Sequence, residues 1–347
     1  MSLFVDIEKD YGGFHLRARF ETSGGITGLL GASGCGKSQT LRCIAGLQRP
    51  DRGRILLDGR VLFDSERRID LPAQQRSVGY LFQSGALFPH MTVRNNILAG
   101  LHAVKGTAEK QRALRSALEL LALEGLEDRL PGQLSGGQAQ RAALARILVS
   151  RPRALLLDEP FSAVDSHLRE QLQLDLLDLL RTFAGDVILV THSRDEAYHM
   201  CSRIALMDAG CILTAGPVKQ VFANPGSSLG ARLTGCKNVA AARKAGPRAV
   251  LVPDWGITLQ TAVPVGDGAA AVGIRAHALR PDEPRNRMAV AFVGQVEEPF
   301  AWIMQVRTPG QRPGTPSLWW RMAKGEKPPH MPEALGVAPE DVLVFDS

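Results

Sequence analysis

No stretch of this 347-residue chain comes near the 18 or more consecutive apolar residues that a membrane-spanning helix needs. The start, Met1-Ser-Leu-Phe-Val-Asp-Ile-Glu-Lys-Asp, has charges where a secretory leader would carry its apolar stretch. Both absences point to a cytosolic protein that meets a membrane only through a partner. Cysteine is sparse and odd in number: Cys35, Cys43, Cys201, Cys211 and Cys236, with no CxxC pair. That argues against a disulfide scaffold and a zinc site, and leaves reduced thiols as the expectation. His199 and Cys201 are near neighbours, but two residues do not make a metal site. Charge of one sign is also lacking. The 41 Lys and Arg exceed the 35 acidic residues by only +6, and they are scattered. Such an excess is too weak for a nucleic-acid partner, although it suits a face near an anionic membrane. Internal repeats and low-complexity segments are missing. What is there, 45% hydrophobic and 22% charged residues, suffices for a real core and excludes a disordered chain.

Length alone suggests about two domains, and composition changes near residue 235. All four Trp (Trp255, Trp302, Trp319, Trp320) and 13 of the 21 Pro lie beyond position 245. Before the change, short apolar runs such as Ile26–Leu30, Ala154–Leu157 and Val187–Val190 alternate with helical patterns, as βαβ units do. Runs of that kind suit a parallel sheet buried on both faces. After it, Ala249–Val252, Ala270–Ile274, Met288–Val296, Ala301–Val306 and Asp341–Phe345 read as strands separated by Pro and Gly. Asn224-Pro-Gly-Ser-Ser228 marks the end of the first domain. The expectation is an α/β domain over 1–230 and a small β-rich domain over 236–347. The Trp319-Trp320 pair and the Pro-rich loops of the second domain read either as a contact surface or as barrel core.

Gly31-Ala32-Ser33-Gly34-Cys35-Gly36-Lys37-Ser38 matches G-x-x-x-x-G-K-[ST] in full. It follows the Ile26–Leu30 run and precedes a helical stretch, Gln39–Leu47, which is the required context. Glycines let the loop close so that its N–H groups point at phosphates, and the helix start adds partial positive charge. Lys37 then reaches the β- and γ-phosphates and Ser38 coordinates Mg²⁺. Cys35, inside the loop and beside cationic Lys37, is expected to have a lowered pKa and a reactive thiol, unless it is simply buried. A second apolar run, Ala154-Leu-Leu-Leu157, delivers Asp158 to the metal shell and Glu159 to the attacking water.

Leu134-Ser135-Gly136-Gly137-Gln138 opens a helix before those acids, and at this point residues 1–225 resemble the ATP-binding cassette (ABC) family. The resemblance implies a P-loop NTPase cassette, with a helical subdomain at about 84–150. It implies that Gln83 is the Q-loop glutamine bearing on the metal, that Ser162-Ala163-Val164-Asp165 is the D-loop, and that His192 is the switch histidine. Val164 stands where Leu is usual. Tyr11 takes the place of the adenine-stacking aromatic, with Phe14 able to serve instead. Gln39 follows the loop on the nucleotide side. In such proteins Ser135, Gly136, Gly137 and Gln138 cap the nucleotide held by a second copy, so two chains make two composite sites and ATP joins them. Leu87-Phe88-Pro89-His90-Met91-Thr92-Val93 is then a groove for a helix of a membrane subunit.

A single cassette followed by a β-rich domain resembles the ATP subunits of binding-protein-dependent importers. The DNA-repair type inserts a long coiled coil between motifs, whereas only about 95 residues separate Ser38 from Leu134 here. The wording of Gly53–Asp64 and Leu71–Gln83 is similar to molybdate importers, although Asn238-Val239, Gly246 and Val250 make only a worn version of their oxyanion repeat. The resemblance thus implies an ATP- and Mg²⁺-dependent ATPase, homodimeric, at the cytoplasmic face of the membrane. A permease would be its direct partner and an extracytoplasmic binding protein an indirect one. The C-terminal domain is expected to be similar to the oligonucleotide/oligosaccharide-binding (OB) type, with a regulatory role. The alternatives are another cargo (sulfate, iron, polyamine or sugar) or a soluble family ATPase acting on nucleic acid or ribosomes.

Overall fold

A computed structural model describes residues 2–346 except Ser84, Gly85, Ala103, Ala163 and Asp165, and describes residues 166–168 by their backbone. The chain divides into two compact units, Met1–Lys219 and Gln220–Ser347. The sequence places the joint slightly later, at Asn224–Ser228.

Among the described residues, the first unit is built on one eleven-stranded sheet. Its parallel half runs in the order Arg203–Asp208, Ile26–Leu30, Asp186–Thr191, Ala154–Asp158, Val78–Leu81. The other half is mostly antiparallel and includes Leu3–Asp10, His15–Glu21 and Arg52–Leu57. Successive side chains of a strand face opposite sides, and the apolar runs supply two cores in this way. Leu155, Leu157 and Leu189 pack with Val93, Ile97, Leu114, Leu118, Leu144 and Leu176 from the helices of one face. Ala154, Leu156, Ile188 and Val190 pack on the other face with Leu41 and Ile44 of the helix Lys37–Ala45. Both faces are therefore apolar, which is why these strands lack polar alternation. Parallel order also brings the carboxyl ends of Ile26–Leu30, Ala154–Asp158 and Asp186–Thr191 to one edge, where ligands of open α/β sheets bind.

One buried charge ties this arrangement together. The Arg76 side chain is fully enclosed. It donates to the Cys43 and Ile44 carbonyls at the end of the helix Lys37–Ala45 (2.8 and 2.9 Å), to Leu71 O and to Asp70. The last carbonyls of a helix lack the usual intrahelical donors; apart from Arg76, Cys43 O accepts from the capping Gly46 N–H. A cation there also complements the helix dipole. Burial lowers the Arg76 pKa and Asp70 opposes that shift. Arg76→Met is expected to destabilise the protein by about 3 kcal/mol, since it leaves the helix-end carbonyls of Cys43 and Ile44 without their charged donor. Calorimetry should show Tm falling by about 6–12 °C; a fall under 2 °C would mean that the clamp is idle.

The second unit consists, among the described residues, of four small antiparallel sheets around a core that includes Val250, Trp255, Val272, Met304, Trp320 and Val342. The predicted strand Met288–Val296 is two strands, Met288–Ala289 and Ala291–Glu297. The Val290 N–H donates instead to Glu333 O, where the chain changes partner strand. Trp320 is core and Trp319 is half-buried, its backbone paired with the Asn238 side chain. Of the pair, Trp320 therefore belongs to the core, while Trp319 keeps part of its surface exposed. Exposed apolar groups lie on the Ala291–Glu297 hairpin: Phe292, Val293, Val296 and, just beyond, Phe300, which is 87% exposed.

Candidate functional site

The strand Ile26–Leu30 ends at Gly31, where a Cβ would stand 2.1 Å from the Met207 carbonyl oxygen, so only glycine fits. Gly36 has φ 106°, and a side chain there would strike Phe14, Met207 and Leu16. These two positions force the loop to bend before the helix Lys37–Ala45. That helix starts without a side-chain cap, so its first N–H groups remain available to an anion. Lys37 is buried, and its ammonium donates to the Gly31 and Ala32 carbonyls at 2.8 and 2.9 Å. A buried ammonium whose partners are neutral groups is a strong donor site for phosphate.

Cys35 corrects one expectation. Its Sγ lies 3.8 Å from Lys37 Nζ, yet burial raises the thiol pKa more than Lys37 lowers it. The thiol packs into the core beneath the loop, so it is neither activated nor presented to solvent.

Asp158 ends the strand Ala154–Asp158 and is almost fully buried. Ser38 Oγ donates to its Oδ1 at 2.7 Å and Tyr80 OH donates to its Oδ2 at 2.8 Å. Burial first, and Asp158 second, push the Tyr80 phenol well above its usual range, so it stays protonated. Tyr80 was not singled out from sequence, because an aromatic in a short strand reads as core. Its only signal was a polar tip three residues before Gln83.

Glu159 takes φ 46°, a left-handed conformation that is strained for a residue with a side chain. The turn is held by Glu159 N–H to Val190 O at 3.0 Å, and by the Ser162 N–H and hydroxyl on Glu159 O. It aims the carboxylate at His192, whose Nδ1 lies 3.2 Å from Oε2. His192 itself is half-exposed, on a turn where Thr191 Oγ1 donates to buried Glu196 and accepts from Ser193 N–H.

Lys37, Ser38 and Glu159 line one open cleft of about 550 Å³. Ser33, Gly34, Gly36 and Gln39 of the loop line it too, as do Gln83, Tyr11 and Phe14. The two aromatic rings are 6.1 Å apart and tilted. Tyr11 donates to Gln48 and Gln39, and burial raises its pKa to about 12. Ala32 is exposed beside the loop, and Gly31 and Cys35 lie beneath it.

Ser135, Gly136, Gly137 and Gln138 do not line this cleft. They start the helix Gly136–Leu148, where Ser135 Oγ accepts from Gln138 N–H and Gln138 Oε1 accepts from Ser135 N–H. Gly137 is pressed against Leu172, which a Cβ would meet at 3.1 Å. Ser135 and Gly136 face solvent. Of the D-loop, Ala163 and Asp165 lie outside the described residues, and Val164 is buried. Among the described residues no cluster of three or more His, Cys, Asp or Glu is placed for a metal. No helix among them is long and apolar enough to cross a membrane.

Comparison with known proteins agrees with this geometry. A family model described as ABC transporter matches residues 20–162. The molybdenum import ATP-binding protein ModC of Paramagnetospirillum magneticum is 42% identical over 224 residues, 65% of this chain and 61% of that protein. The spermidine/putrescine import ATP-binding protein PotA of Acidothermus cellulolyticus is 38% identical over 333 residues, 87% of this chain and 85% of that protein. Among solved structures, cbiO1 from Clostridium perfringens, part of the ABC transporter complex cbiONQ, aligns with a TM-score of 0.56 and 26% identity. That alignment covers 65% of this chain and 91% of the other. The matches to the two molybdenum import relatives span about three fifths of their length.

Proposed function

The chain belongs to the ABC transporter family, and we propose that it is the ATP-hydrolysing subunit of a binding-protein-dependent importer. The observation that carries this reading is one cleft lined by buried Lys37, by Ser38, which is hydrogen-bonded to Asp158, and by Glu159, which is paired with His192. Adenine lies against Tyr11 or Phe14, and the phosphates lie in the loop Ser33–Gln39. The Lys37 ammonium exchanges its two carbonyl partners for β- and γ-phosphate oxygens. Glu159 takes a proton from water as the water oxygen bonds to the γ-phosphorus and the bond to the ADP oxygen breaks. His192 orients Glu159 and contacts the γ-phosphate. Gln83 connects the cleft to the helices Val93–Ala99, Thr107–Leu120 and Gly136–Leu148.

Ser38 and Asp158 present only oxygen donors, the set that Mg²⁺ prefers, alongside phosphate and water. Bound by Ser38, Asp158 and Gln83, Mg²⁺ would neutralise charge on the phosphates. The solvent-facing Ser135–Gly136 turn, away from the cleft, suits a homodimer in which each copy caps the other's nucleotide. Exposed Phe88, in the segment proposed to receive a permease helix, supports a membrane partner. Phe292, Val293, Val296 and Phe300 support a contact role for the C-terminal domain, and a regulatory one goes with it. The subunit works at the cytoplasmic face of the membrane, with the binding protein on the other side.

Molybdate or a related oxyanion is the proposed cargo, from the cassette's likeness to ModC proteins. One observation favours a second reading, a polyamine: the PotA match extends through most of both chains. The assembled transporter should decide between them. ATP turnover is expected to rise several-fold with binding protein loaded with molybdate and to stay basal with spermidine. The reverse pattern would establish the second reading, and no response to either would overturn both.

A further inference from the structure

We infer that Tyr80 is a positioning residue for metal-dependent nucleotide binding: its hydroxyl fixes Asp158 so that the oxygen facing Ser38 is the one offered to Mg²⁺. The inference rests on the functional reading above. Asp158 is enclosed, and each of its carboxylate oxygens has one hydroxyl donor, Ser38 on Oδ1 and Tyr80 on Oδ2. The two donors are not equivalent. Ser38 is in the first turn of the helix that follows the phosphate loop and lines the cleft, so its hydroxyl is the one that turns toward the metal. Tyr80 does not line the cleft. It comes from the edge strand Val78–Leu81, paired in parallel register with Ala154–Asp158, and its ring packs 4.4 Å from Phe82. When Ser38 turns away, Tyr80 is the remaining fixed donor on a buried carboxylate. Without it Oδ2 is unpartnered, and the cheapest remedy is rotation of the carboxylate, which misdirects Oδ1. Outer-shell donors of this kind typically contribute 10–100-fold to metal affinity.

The strand register explains why a tyrosine can do this. Tyr80 pairs with Leu156, two residues before Asp158, so a long side chain leaning along the strand ends level with the carboxylate. A phenylalanine would fill the same space and lose only the hydroxyl.

The test uses the full chain carrying Tyr80→Phe and measures the dissociation constant of ATP twice, with Mg²⁺ and with EDTA. The expected result is about tenfold weaker binding with Mg²⁺ and unchanged binding, within twofold, in EDTA. A purely structural role would shift both values together, and that result would overturn the inference, as would no change in either. A double-mutant cycle with Asp158→Asn adds an independent readout. In that background Tyr80→Phe should have no further effect on the Mg²⁺ value, because the acceptor is altered, and an undiminished tenfold loss would show that Tyr80 acts elsewhere. If the unaltered chain binds ATP no better with Mg²⁺ than with EDTA, the reading of the site itself fails, and the inference with it.

Discussion

Replacing Glu159 with glutamine is expected to lower ATP turnover at least a hundredfold while leaving nucleotide binding intact. The amide keeps the shape of the side chain but cannot take the proton that the attacking water loses. General-base assistance is typically 10²–10⁴-fold, and the rest of the machinery stays in place. The strained turn persists as well, since it is held by backbone and by Ser162 rather than by the carboxylate. Phosphate release from the assembled transporter measures the first effect and fluorescent-nucleotide binding the second. Turnover above a tenth of the wild-type rate would remove Glu159 from the role of base.

Lys37→Ala is expected to be as severe, through binding as well as chemistry. The lysine is the one cation among the residues lining the cleft, and its ammonium is already buried and held in place by two carbonyls. Little reorganisation is required when phosphate arrives, the condition under which a charged donor is worth most. Loss of a preorganised donor of this type costs roughly 10²–10³-fold in rate, and charged hydrogen bonds contribute about 1.5–3 kcal/mol each to binding. ATP affinity should therefore fall at least tenfold and turnover at least a hundredfold, as followed by nucleotide binding and phosphate release. A variant retaining a tenth of wild-type turnover would show that the helix N-terminus holds the phosphates without it.

The parts of the fold that were legible in sequence are those whose pattern has one physical solution. Ile26–Leu30 is a strand with the bounds its apolar run suggests, because it is buried on both sides. Helix ends were harder to place. The first helix stops at Ala45, since Gly46 at φ 76° caps it two residues before the periodic pattern ends. The helix Thr107–Leu120 is another case, since Ala122 takes φ 47° with no glycine to announce the turn. The antiparallel strands of the first unit were not read individually, although Leu16, Ala18 and Phe20 alternate strictly with exposed residues in His15–Glu21.

In the site, the phosphate loop, Asp158 and Glu159 were proposed from a motif and an apolar run, and Gln83 and His192 from the family resemblance. Tyr80 and Arg76 were not. Both act by reaching a partner distant in sequence, Asp158 for one and the Cys43–Ile44 carbonyls for the other, and no local pattern encodes such a contact. Cys35 was left open between a reactive and a buried thiol for a related reason. Spacing shows the cation beside the thiol but not the core that closes over it.

The central claim is that two copies enclose ATP, each supplying Lys37 and Glu159 to one nucleotide and Ser135–Gly137 to the other. Sedimentation of the Glu159→Gln chain measures this directly. In MgATP the account predicts a species of twice the 37.5 kDa chain mass, which reverts to a single chain in MgADP and fails to form when Ser135→Arg is added. A single chain in every nucleotide, or a dimer indifferent to both nucleotide and Ser135, would contradict it.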